Sequence, residues 1–129
     1  MKHLFVPYEL ALLAKEKGFN EPCLAAYRPE DNNELKSYEQ GDLMDLKGFK
    51  PSDFNSEFLV SAPLYQQLVD WFREKGIYIS IECDYDISGG YNRGYTPCVN
   101  GIHHFYEGDC FIEYYNALSI GITEAFKLI

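Results

Sequence analysis

The sequence predicts an α+β domain: a small antiparallel sheet with about three helices packed mostly on one face. Three observations predict it. Apolar stripes recur at helical spacing in three places, one segment alternates with period two, and an Asn-Gly pair separates two β-prone arms. Helical and strand signals do not alternate regularly along the chain, which favours α+β over a wound parallel sheet. A length of 129 residues suits one domain spanning 1–129.

The first helix is expected from Pro7 to Lys17. Pro7 suits a first-turn position, Val6, Leu10, Leu13 and Ala14 share a face, and Gly18 can end the helix in a left-handed conformation. Cys23–Arg28 and Glu34–Tyr38 read as a hairpin around a Pro29–Asn33 turn. Residues 39–55 mix Gly, Asp, Lys, Pro and Ser with isolated apolar residues, and a helical turn is expected within them. The second helix is expected to start with Ser61 as its N-cap and Pro63 in its first turn. Leu64, Leu68, Trp71 and Phe72 then recur at helical spacing, and Gly76 closes it.

Ile77, Ile79, Ile81 and Cys83 alternate with Tyr78, Ser80 and Glu82, so a central strand with one covered face is expected there. Asn100-Gly101 predicts a two-residue hairpin between Thr96–Val99 and Ile102–Tyr106, with Pro97 pushing the first arm to an edge. Cys110–Ile112 reads as a last short strand. The third helix is expected over roughly Glu113 to Leu128, with a stripe of Tyr114, Ala117, Leu118, Gly121, Ile122, Ala125 and Ile129. Gly121 inside that stripe predicts close packing against another backbone.

Twenty acidic against eleven basic side chains give a formal charge of −9. Phosphate neutralisation needs clustered Lys and Arg, so nucleic acid is not an expected partner. Residues 76–129 hold seven acids against Arg93 and Lys127 only, which also disfavours an anionic membrane surface. No apolar run approaches the roughly 20 residues of a spanning helix, and Met1–Tyr8 lacks a secretory apolar stretch. Cys23, Cys83, Cys98 and Cys110 form no CxxC pair, so buried free thiols and a cytoplasmic setting are expected.

Three groups of residues bear on function. Asp84, Asp86, Ser88, Gly89 and Asn92 fall at positions 1, 3, 5, 6 and 9 of a calcium loop, but Tyr95 stands where a bidentate Glu belongs. Cys98, His103, His104 and Cys110 offer zinc-type donors without the tight pairs of a structural site. Neither set completes a ligand shell, so no cofactor and no tightly held metal are expected, and no catalytic residue is assigned.

The third group is aromatic. Tyrosine is rich between residues 78 and 115, and Tyr78, Glu82, Tyr85, Tyr91, Tyr95 and Tyr106 are expected to form an interaction face. The resulting expectation is a non-enzymatic module that meets a protein partner or a second copy of itself. The alternative is a small metal-dependent enzyme using Asp84, Asp86 and a histidine.

Three stretches carry a resemblance. They are Phe5–Ala11 with Lys15–Cys23; Ala62–Lys75, with its APLYQQ and DWFREK runs; and Tyr114–Leu118 with Ala125–Ile129. Together they resemble a family of small uncharacterised proteins carried by phages, prophages and genomes of gut Bacteroidetes, over about half the chain. The resemblance implies a bacterial or phage origin and an accessory role, and it carries no cofactor or catalytic residue.

Overall fold

A computed structural model describes residues 2–37, 59–104, 111 and 113–129. The helical turn expected within 39–55 lies outside the described residues, as do Tyr106 and Cys110. The architecture is α+β. Among the described residues are three α-helices and two three-stranded antiparallel sheets, where one sheet was expected. The chain divides into two compact units, Met1–Gln67 and Leu68–Ile129.

In the first unit, α1 (Tyr8–Glu16) follows Pro7, whose φ of −63° suits the N-cap. The helix ends as the sequence predicts. Gly18 takes φ +90°, the Gly18 N–H bonds the Lys15 carbonyl, and the Phe19 N–H reaches back to Ala14. This Schellman motif buries Phe19 beside the last turn. The strands β1 (Ala25–Arg28), β2 (Glu34–Ser37) and β3 (Val60–Ala62) pair in the order β2-β1-β3. Ala25, Ala26 and Tyr27 of the central strand are all buried. The Tyr27 hydroxyl donates to the Val6 carbonyl at 2.6 Å, and burial pushes its pKa up to about 12, with help from Tyr65 and Glu9.

Ser61 is not a helix cap. It lies in β3 opposite Ala26, because an available sheet partner outweighs a local capping preference. The helix α2 (Tyr65–Glu74) instead begins after Leu64, whose N–H donates to the Gln67 side chain at 2.9 Å. That contact is one half of a capping box.

In the second unit, α2 ends in the same motif as α1. Gly76 takes φ +78° and the Ile77 N–H bonds the Phe72 carbonyl, which aims the chain into β4 (Ile79–Asp86). The partners are β5 (Tyr91–Val99) and β6 (Ile102–His103), in the order β4-β5-β6. Both edge expectations are thereby reversed: among the described strands β4 lies at an edge, and β5 with Pro97 is central. Pro97 fits because its carbonyl accepts from the His104 N–H, just beyond the end of β6. Its missing N–H therefore faces the place where that ladder stops.

The final helix, α3 (Tyr114–Phe126), lies against β4 and β5. A Cβ at Gly121 would stand 3.1 Å from Ile79 Cγ2 and 3.3 Å from Pro97 Cβ, so the close packing its sequence position predicts is against side chains rather than another backbone. Trp71, Phe72 and Phe126 stack edge-on or tilted, with centroids 4.8–6.3 Å apart, and form the aromatic heart of this unit. Ile129, expected in the stripe, lies past the helix end and is exposed.

Candidate functional site

The site-bearing part of the chain is the sheet of β4, β5 and β6, and two local devices fix its register. Asn100 and Gly101 both take positive φ, the signature of a type I′ turn, and place Val99 opposite Ile102 and Cys98 opposite His103. The Asn100 side chain accepts from the Tyr78 N–H at 2.8 Å, and the Asn100 N–H donates to the Tyr78 carbonyl at 2.9 Å. The entry to β4 is thus tied to the turn. On the other side of β5, Ser80 stands opposite Cys98 and Glu82 opposite Thr96.

Residues opposite one another in an antiparallel pair project to the same face, as do residues two apart on a strand. Glu82, Cys98 and His103 therefore share a face, although each comes from a different strand. Their donor atoms all lie within 4.8 Å of one another. Among the described residues this is the one group of three or more His, Cys, Asp or Glu side chains so gathered. His103 Nε2 and Glu82 Oε2 are 2.6 Å apart, with both side chains open to solvent, while Cys98 is 6% exposed. His104 points the other way, with Nδ1 3.8 Å from Glu124 of α3. Strand alternation separates the two histidines.

The two acids expected to share a divalent ion have separate surroundings. Asp86 caps the β4–β5 turn. It accepts from the Ser88 hydroxyl at 2.7 Å and from the Ser88 and Gly89 amides at 3.0 Å, and it pairs with Arg93 at 2.9 Å. Those bonds, led by the Ser88 hydroxyl, hold its carboxyl down to about 2. Asp84 is exposed before a register shift at Asp84/Tyr85 that leaves Arg93 as the extra residue on β5. A Cβ at Gly89 would run into the exposed Tyr91 ring, which would have to swing aside.

The expected aromatic face is dispersed. Tyr78, Tyr85 and Tyr91 are exposed at 60%, 56% and 55%, and Ile87 at the turn is 90% exposed. By register Tyr91 falls on the side of Glu82 and Asp86, whereas Tyr85 falls on the opposite side with Tyr95. Tyr95 is half-buried and meets Tyr114 of α3 edge-on at 5.5 Å. Of the expected buried thiols, Cys23 and Cys98 are buried, and burial pushes Cys23 up to about 12. Cys83 is exposed, because it sits on β4 beyond the stretch that α3 covers.

The residue missed by sequence reasoning at this site is Glu82 as a neighbour of Cys98 and His103. The Cys98–His103 pairing is encoded by the Asn100-Gly101 turn alone, since a two-residue hairpin fixes which residues face each other. The Glu82 contribution depends on the β4–β5 register, and that register passes through an irregular turn and a bulge. No family model, curated protein or solved structure matches the chain.

Proposed function

We propose that the protein is a non-enzymatic interaction module whose β4–β5 hairpin docks a basic partner protein. The observation that carries this reading is the combination of bare rings and carboxylates along the β4–β5 hairpin. Tyr85, Tyr91 and Ile87 are exposed near Asp84 toward its turn, on both faces, and Tyr78 and Glu82 are exposed nearer its root. Exposed tyrosine gives rigid amphipathic contact area at little entropic cost, and interfaces are enriched in it. The carboxylates select for Lys and Arg on the other side.

Charge also chooses between occupants. Two copies at −9 each repel, whereas a basic surface is attracted, so a foreign partner is favoured over self-association. The family resemblance supports an accessory role in a bacterium or phage. The metal-dependent enzyme built on Asp84 and Asp86 draws no support, because the Asp86 oxygens are engaged by Ser88, Gly89 and Arg93.

The test is capture from a lysate of the source cell, run with the wild type, Tyr85→Glu and Tyr91→Glu. The expected result is a basic protein whose binding weakens more than tenfold in both variants and falls as salt rises. Capture that ignores both substitutions, or that is insensitive to salt, overturns the proposal. A dimer in light scattering that is lost on Tyr78→Glu replaces the foreign partner with a second copy.

A further inference from the structure

We propose that Glu82, Cys98 and His103 form a binding site for one borderline divalent transition metal, with zinc the best match to the donors and a fourth position left to water. The inference shares Glu82 with the interaction reading but is tested on the isolated protein, so either can fail without the other.

The donor chemistry comes first. A thiol, an imidazole and a carboxylate converge within 4.8 Å. Calcium and magnesium take oxygen shells, so a sulfur and a nitrogen among three donors select against them. Zinc accepts all three donor types, and three protein ligands plus water is the pattern of its open sites. The cluster is also asymmetric in access. Cys98 is buried at the floor, while Glu82 and His103 are open to solvent, so a metal can enter from their side and keep a water there.

The architecture comes second. The three donors come from three strands of one hydrogen-bonded ladder, which sets their separation by register. Supporting a site on strands gives more precise placement than a loop does. Small side-chain movements complete the geometry. Tetrahedral zinc with ordinary bond lengths holds its nitrogen and oxygen ligands about 3.3 Å apart, and its sulfur about 3.6 Å from either. The Glu82–His103 pair must therefore open from 2.6 Å by less than an ångström, and the Cys98 sulfur, within 4.8 Å of both, must close by at most about 1.2 Å. On binding, the thiol proton leaves to solvent. The His103 nitrogen facing Glu82 becomes the ligand, and its ring proton resides on the other nitrogen.

From the sequence, Cys98, His103, His104 and Cys110 lack the tight pairs of a structural site, and no tightly held metal is expected. The fold supplies the third donor, Glu82, from the far side of β5.

The experiment titrates metal-free, full-length protein with Co²⁺ and reads the thiolate-to-cobalt charge-transfer band. The wild type is expected to saturate at one metal per chain, with Zn²⁺ displacing the cobalt. Cys98→Ser is expected to abolish the band, and Cys83→Ser to leave it unchanged. Because Cys98 is buried and its variant can misfold, Glu82→Gln and His103→Gln serve as exposed-site tests. Each is expected to weaken binding at least tenfold while leaving the circular dichroism spectrum intact. Absence of a saturable band overturns the site. So does a band that survives both exposed substitutions, or one that is lost on Cys83→Ser or Cys110→Ser while Glu82→Gln leaves it intact.

Discussion

The two ends of the β4–β5 hairpin are built from the same paired strands and live in different environments. At the root, Ile79 and residues 96–99 are buried, and α3 presses Gly121 onto Ile79 and Pro97. Toward the tip, Cys83, Asp84 and Tyr85 on one strand and residues 91–93 on the other are all exposed, with Tyr85 opposite Asn92. The change coincides with the end of the helical cover, where Tyr114 at the start of α3 meets Tyr95. Alternation along a strand shows which face can be covered. How far the cover extends is set by the helix that lies on it.

The largest expected difference between the two ends is energetic. Trp71 belongs to the buried aromatic cluster with Phe72 and Phe126, and Lys75 lies 4.4 Å above its ring. Trp71→Ala should cost about 3–5 kcal/mol in urea unfolding, enough to unfold a marginal domain. Tyr85→Ala, on the bare end, should change stability by less than about 0.5 kcal/mol. Equal costs at the two positions would break the comparison.

A smaller effect sharpens it. Gly121→Ala gains about 1 kcal/mol of helix propensity but places a methyl 3.1 Å from Ile79 and 3.3 Å from Pro97. Overpacking typically costs about 1–3 kcal/mol, and Pro97 is held in a central strand and cannot yield freely. The expected net result is destabilisation by about 1 kcal/mol in the same unfolding assay. A stabilised variant would show that α3 rides loosely on the root.

Much of the fold was legible in the sequence, for local reasons. Gly18 and Gly76 mark helix ends because the motif they close needs a left-handed residue, and Asn100-Gly101 marks its hairpin for the same reason. Gly121 signalled close packing because glycine is costly inside a helix unless something needs the space. What was not legible depends on distant partners. Ser61 reads as a cap until Ala26 is found beside it. Pro97 reads as an edge residue until β6 is seen to stop at His103. Glu82 reads as one of many surface acids until the register carries it to Cys98 and His103.

The smallest effect belongs to the tip, and pH reaches it without unfolding the root. Asp86 has its carboxyl held near 2, below its ordinary value of 3.8, by Ser88, Gly89 and Arg93. A depressed carboxyl favours the ordered turn above the higher of these values, and that contribution is lost as pH falls through the lower one. The turn should therefore stay formed at pH 4 and loosen near pH 2. An NMR titration of the Asp86 carboxyl should show its midpoint near 2, with the Ser88 and Gly89 amide signals moving in step. Asp86→Ala should abolish that titration and speed exchange of both amides, with only a small fall in the urea midpoint. Asp86→Asn can still accept from the amides but loses the charge opposite Arg93, so it should fall between the two. A wild-type midpoint near 3.8 would mean that the tip is not organised by these bonds. A fall of the urea midpoint as large as that of Trp71→Ala would mean that tip and root are coupled, and would end the distinction drawn between them.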